Sequence, residues 1–122
     1  MTTTISPGPS YRRGDVALVI FPNSNLRTAK TRPALIIQRD DLDSRLSQVI
    51  VCMITSKTFR AKNPSRVSIP LASPEGQESG LLTDSVVMTD NIATIATSEI
   101  DRVIGKLQMT NIDLALRFSL AL

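Results

Sequence analysis

An arginine and a pair of hydroxyls are the residues of this chain best suited to chemistry. Arg32 stands in Thr31-Arg32-Pro33, just ahead of the apolar run Ala34-Leu35-Ile36-Ile37. Thr55 and Ser56 close a second apolar run, Val49-Ile50-Val51-Cys52-Met53-Ile54. A guanidinium presents a planar fork of donors matched to phosphate oxygens, and Thr or Ser hydroxyls donate to or accept from the same oxygens. A cation fixed at the mouth of one strand and two hydroxyls at the tip of another are therefore the parts of a phosphate grip. The chain has no histidine and one cysteine, so imidazole acid–base chemistry and a histidine-activated thiol are both excluded. Cys52 lies inside an apolar run and reads as a small buried hydrophobe in a reducing compartment. One cysteine without histidine does not make a zinc site, and no metal or other cofactor is implied.

Basic side chains flank both candidates. Arg27 and Lys30 precede Arg32, while Lys57, Arg60, Lys62 and Arg66 follow the hydroxyl pair. Such a series can track the phosphates of a nucleic acid, although most are simply solvated loop. The wider charge pattern is uneven: residues 1–70 hold 11 Lys/Arg against 4 Asp/Glu, whereas residues 71–122 hold 3 against 7. A positive face for anions follows only if the two halves do not intermingle in space. Aromatic residues are 3% of the chain, which leaves little for base stacking.

These residues need strands to hold them. At 122 residues the chain is one domain, and its core must be built from Ile, Leu, Val, Ala and Met. Residues 1–11, rich in Thr, Ser, Pro and Gly, read as a flexible tail without the apolar stretch of a signal peptide. No stretch reaches the ~20 apolar residues of a membrane span, and a cytoplasmic location is expected. Strands are predicted at 15–21, 33–38, 48–54 (the most apolar, hence central) and 66–69. The segment 22–31 reads as a polar loop, 40–47 as a short helix or turn, 58–64 as a basic loop and 73–76 as a turn. Further strands are predicted at 84–89 and 91–94, as two or as one bent strand, and at 103–107 after a single helical turn at 98–101. Thr110 with Asp113 suggests a capping box opening a helix whose apolar stripe is Ile112, Leu116 and Leu120, with Ala115 and Phe118 beside it. Short strands, brief connections and a terminal amphipathic helix predict a mainly β domain: a small, strongly bent sheet or barrel.

Taken in order, the pieces resemble the MazF/PemK family of toxins from bacterial toxin–antitoxin modules. They are Arg13-Gly14-Asp15-Val16, Arg32-Pro33-Ala34-Leu35-Ile36-Ile37, Ile54-Thr55-Ser56, Gly80-Leu81, Asp84-Ser85-Val86-Val87, Asp90-Asn91-Ile92, Thr94-Ile95 and Ile104-Gly105-Lys106-Leu107, then the final helix. The resemblance covers residues 12–122 as a single domain. It implies an SH3-like barrel, a homodimer, and a metal-independent endoribonuclease that cuts single-stranded RNA and is neutralised by a cognate antitoxin. The family's active-site arginine falls on Arg32 and its hydroxyl residue on Thr55, with Ser56 adjacent; some members use an acid at the position of Asp90. The chain departs from the family pattern in the loop 23–31, which lacks the usual glycines, and at Ala93, where an arginine is usual.

The chemistry this implies is attack of the RNA 2′-hydroxyl on the adjacent phosphorus, giving a 2′,3′-cyclic phosphate and a 5′-hydroxyl. Arg32 would stabilise the added charge and Thr55 would fix a phosphoryl oxygen, with Ser56 as helper. Asp90 is the candidate base by family position and Asp15 a second. Two other readings stay open: a family member that binds RNA or antitoxin without cutting, and a gyrase inhibitor resembling CcdB. The second lacks the C-terminal Trp-Gly-Ile of that family, since the chain ends Ser119-Leu120-Ala121-Leu122.

Overall fold

The computed structural model describes residues 11–22, 25, 27 and 29–122. Apart from Tyr11, the expected N-terminal tail lies outside the described residues, as do Asn23, Ser24, Leu26 and Thr28 of the loop before Arg32. Six strands form one antiparallel sheet: β1 (Asp15–Pro22), β2 (Ala29–Ile36), β3 (Gln48–Thr55), β4 (Arg66–Ile69), β5 (Ser85–Ala96) and β6 (Ile100–Lys106). The spatial order is β4-β5-β3-β2-β1-β6. Two helices, α1 (Pro74–Ser79) and α2 (Thr110–Leu120), and two 3-10 turns, Thr58–Ala61 and Thr97–Glu99, complete the described elements.

The alternation of side chains along the strands produces two cores, one on each face. Val16, Leu35, Cys52, Ile54 and Val87 pack under Ile112 and Leu116 of α2, together with Leu81 and Leu107. On the other face Ala17, Val19, Ala34, Ile36, Val49 and Val51 pack together, with Ala93, Ile95 and Ile100 against them. β3 contributes to both cores, which is why its sequence reads as a nearly unbroken apolar run.

The sheet bends where β3 meets β5. Cys52 pairs with Ile92 but the next residue, Met53, pairs with Met88, so Thr89, Asp90 and Asn91 bulge out of the ladder. The bulge is fastened to the start of β4, because the Thr89 N–H donates to the Ser65 carbonyl at 3.0 Å. A bulge re-aims the side chains it carries, and here it turns Asp90 toward β4. One bent strand therefore replaces the two short ones that the sequence also allowed. The mainly β class holds, with one difference from the expected barrel: β4 and β6 are the two ends of the hydrogen-bonded order, so the bent sheet is not closed into a ring.

Several local expectations are corrected. β2 begins at Ala29, so Lys30 is a strand residue rather than loop, and Arg32 lies within the strand rather than just ahead of it. The Ser73-Pro74-Glu75-Gly76 turn is the start of α1, with the Ser73 hydroxyl accepting from the Gly76 N–H at 3.0 Å. The capping box at Thr110 is not made: Met109 is the N-cap, and Asp113 instead accepts from Arg13 at 2.7 Å. Arg13 also donates to the Ile37 carbonyl, tying the start of β1 to the end of β2 and to α2. Phe118 and Leu120, expected in the buried stripe, are 60% and 51% exposed, while Ile112, Ala115 and Leu116 face the sheet.

Candidate active site

The two principal residues lie on neighbouring strands of the sheet, Arg32 on β2 and Thr55 at the end of β3. β2 and β3 pair as Ala34–Met53, Leu35–Cys52 and Ile36–Val51. The pairing ends there, two residues short of Arg32 on β2 and of Thr55 on β3. Residues opposite one another on antiparallel strands point to the same face. By the alternation along each strand, Arg32 follows Ala34 onto the face of the second core, and Thr55 follows Met53. On their far sides Arg32 pairs with Val19 of β1 and Thr55 with Val86 of β5. Val19 and Val86 are fully buried, so the exposed arginine and half-buried threonine stand at the edge of a rigid apolar floor.

The Thr55 hydroxyl accepts from the Lys57 N–H at 3.2 Å. That contact occupies a lone pair and leaves the hydroxyl proton free to donate. Ser56 is the next residue and exposed. Lys57, Lys62, Lys30 and Arg27 are likewise exposed, with Arg27 following the strand end in a bend where its N–H donates to Asn25 Oδ1 at 2.9 Å.

Asp90 is placed differently from a free carboxylate. Its two oxygens accept from Arg66 Nε at 2.8 Å and Nη2 at 2.7 Å, a fork-to-fork pair between β4 and the β5 bulge. The guanidinium beside it holds the Asp90 carboxyl below the usual carboxylate range, and Asp90 in turn raises Arg66. The side chains of Arg66 and Asp90 are 20% and 38% exposed, so the pair is partly shielded from water. A third Arg66 donor, Nη1, reaches the Arg60 carbonyl at 2.9 Å. Arg66 belongs to the basic series read from the sequence, but its donors are directed at protein acceptors. Arg60, by contrast, sends its guanidinium to the Met88 sulfur at 4.0 Å, and Met88 pairs with Met53 on the face that carries Thr55. Neither contact was legible beforehand, since Arg66 and Asp90 are 24 residues apart and only the β4–β5 register joins them.

Among the described residues, Arg27, Lys30, Arg32, Lys57, Arg60 and Lys62 take part in none of the ion pairs. The arrangement can seat a phosphodiester between Arg32 and Thr55 and hold its neighbours with the remaining cations. No three His, Cys, Asp or Glu side chains converge as metal ligands among the described residues.

Known proteins place the chain. Residues 12–119 match the model of the PemK-like, MazF-like toxins of type II toxin-antitoxin systems. Endoribonuclease MazF2 of Mycobacterium bovis is 35% identical over 100 residues, covering 79% of this chain and 83% of that protein. Endoribonuclease MazF6 of Mycobacterium tuberculosis matches with the same identity and coverage. In fold, the chain is similar to a mycobacterial endoribonuclease solved with its cognate antitoxin, at a TM-score of 0.69 and 23% identity, covering 93% of this chain and 97% of that one. A MazE–MazF structure from Deinococcus radiodurans gives a TM-score of 0.68 at 16% identity, covering 90% and 95%. From Arg12 to Ser119, then, the chain belongs to the PemK-like, MazF-like toxin family of type II toxin–antitoxin systems.

Proposed function

We propose that this chain is a metal-independent endoribonuclease that cuts single-stranded RNA by attack of the 2′-hydroxyl on the adjacent phosphorus. What supports the reading is that Arg32 and Thr55 fall toward one face of neighbouring strands, and that among the described residues the cations before Arg32 and after Thr55 enter none of the ion pairs. In the reaction the 2′-oxygen–phosphorus bond forms and the phosphorus–5′-oxygen bond breaks, leaving a 2′,3′-cyclic phosphate and a 5′-hydroxyl. RNA supplies the nucleophile, so neither water nor a metal is needed in this step.

Arg32 offsets the charge that builds on the phosphoryl oxygens, its planar fork of donors matching their geometry. A preorganised donor of this kind contributes about 3–4 kcal/mol, or roughly 10²–10³ in rate. Thr55 donates its free hydroxyl proton to a phosphoryl oxygen, and Ser56 assists from the adjacent position. Arg27, Lys30, Lys57, Arg60 and Lys62 hold the flanking phosphates. Their contribution falls with salt as counterions are released.

The same basic surface suits an antitoxin whose acidic, partly disordered tail orders as it binds. The toxin acts in the cytoplasm, where transcripts are, and works as a homodimer. Incubation with mixed RNA in EDTA is expected to give discrete fragments with 5′-hydroxyl ends, and an acidic antitoxin peptide is expected to compete. Intact RNA, with Arg32→Ala indistinguishable from wild type, would remove the nuclease reading.

A further inference from the structure

We propose that Arg66 and Asp90 are a positioning pair, holding the 3-10 turn Thr58–Ala61 so that Arg60 presents its guanidinium to RNA beside Thr55. The proposal rests on the nuclease reading and assigns an RNA contact and its support within the same site.

The geometry runs in three steps. Arg66 is anchored first, by two parallel charge-assisted bonds to Asp90 on the β5 bulge. The anchored guanidinium then holds the turn, through the bond from Nη1 to the Arg60 carbonyl. The turn finally places the Arg60 side chain, whose Nη1 lies 4.0 Å from the Met88 sulfur. Met88 pairs with Met53, and the next pair on the same face is Val86–Thr55. Diagonal neighbours across such a ladder are roughly 7–8 Å apart. The Arg60 guanidinium therefore lies within reach of a phosphate adjacent to the one gripped by Arg32 and Thr55. Arg60 also stacks over Phe59, 5.8 Å from the ring centroid, which limits its swing.

Arg66 itself is held by the protein in this arrangement, three of its five N–H donors being committed. Its Nε, Nη1 and Nη2 are all directed at protein oxygens. Asp90 is held likewise, since both carboxylate oxygens face the Arg66 fork. A carboxylate so held is a weaker base than a free one and is poorly placed to take the 2′-hydroxyl proton. Its effect on the reaction runs through Arg60.

The test uses a defined single-stranded RNA that the wild-type protein cuts, and a DNA oligonucleotide of the same sequence, which lacks the 2′-hydroxyl and can only be bound. Asp90→Asn is expected to raise KM for the RNA, and Kd for the DNA, about tenfold, with kcat falling less than threefold. The salt slope of DNA binding should shrink by about 0.7, the value of one phosphate contact on a single strand. Arg60→Ala should do the same, and the double variant should be no worse than either single one. Arg66→Lys keeps the charge but loses the fork. It should follow the same pattern, and it serves if Asp90→Asn does not fold. A kcat loss of a hundredfold or more with a changed pH–rate profile would make Asp90 a catalytic base and overturn the proposal. Independent, multiplicative effects of Asp90→Asn and Arg60→Ala would also overturn it. Wild-type protein that leaves every RNA intact yet binds the DNA in an Arg60-dependent way would end the nuclease reading and spare this one.

Discussion

If Arg32 and Thr55 grip one phosphate, removing both must cost less than the product of removing each. Arg32→Ala deletes a charged donor from the growing anion, which is expected to lower kcat by about 10²–10³, or roughly 3–4 kcal/mol. Thr55→Val deletes one neutral donor and the acceptor of the Lys57 N–H, at 3.2 Å. Because Lys57 is exposed, water replaces that second loss. The expected cost is about 1–1.5 kcal/mol, roughly tenfold in kcat. Were the residues independent, the double variant would lose about 10³–10⁴. On the proposed reading both lie toward one face of neighbouring strands and their donors converge on the same phosphoryl group. Once Arg32 is gone the phosphate is no longer held where Thr55 can reach it, and the double variant should be close to Arg32→Ala alone, a coupling of about 1 kcal/mol. Single-turnover cleavage of one end-labelled RNA, with the four proteins side by side, measures this directly. Strictly multiplicative losses, or a Thr55→Val variant as fast as wild type, would refute the shared grip.

Two further predictions concern the scaffold. A Cβ at Gly105 would lie 2.3 Å from the Ser79 carbonyl carbon and 2.4 Å from the Glu78 carbonyl oxygen, so Gly105→Ala must push α1 off β6; a loss of about 3 kcal/mol in urea unfolding is expected, and a neutral result would refute the close approach. Burial pushes the Cys52 thiol up to about 12 from its ordinary 9.0, so native protein keeps the thiol proton over a range where unfolded chain has lost it; stability should fall by about 1.4 kcal/mol per pH unit above 9, Cys52→Ala should abolish that slope, and alkylation at pH 8 should be limited by unfolding.

The sequence exposes what alternation and local chemistry can encode. β1, β3 and β4 appear as apolar runs or β-rich segments, and α2 through the spacing of Ile112 and Leu116, because each buries a face of its own. The start of β2 was hidden because Pro33 looked like a first strand residue. Pro33 in fact lies within β2, one residue beyond the last β2–β3 pair, where no ladder partner on β3 is asked of it. α1 was hidden by Gly76, which weakens a helix in isolation. Here it is required, because a Cβ would lie 2.1 Å from the Pro70 carbonyl oxygen. Arg32 and Thr55 were legible as residue types beside apolar runs, and the fold puts those runs on neighbouring strands. The Arg66–Asp90 clamp was not legible, since it depends on a three-residue bulge that no local pattern announces.

The same bulge resolves the charge imbalance between the two halves of the chain. If the basic and acidic halves simply intermingled, their charges would cancel and no positive groove would remain. Two ion pairs do cross between the halves, Arg13–Asp113 and Arg66–Asp90, and both are structural ties. Arg39 and Arg45 are answered locally by Asp41 and Asp43 on the loop between β2 and β3, at the opposite end of those strands from Arg32 and Thr55. What is left of the first half's cations, apart from Arg12, is Arg27, Lys30, Arg32, Lys57, Arg60 and Lys62, which run through the approach to Arg32 and the segment after Thr55. Charge pairing is therefore selective. It fastens the sheet and α2 with the cations that face acids across the fold, and leaves unpaired, among the described residues, the cations that precede Arg32 and follow Thr55 in sequence. A formal net charge of +3 hides this selectivity, since among the described residues five acids are paired within ion pairs while the cations flanking Arg32 and Thr55 are not.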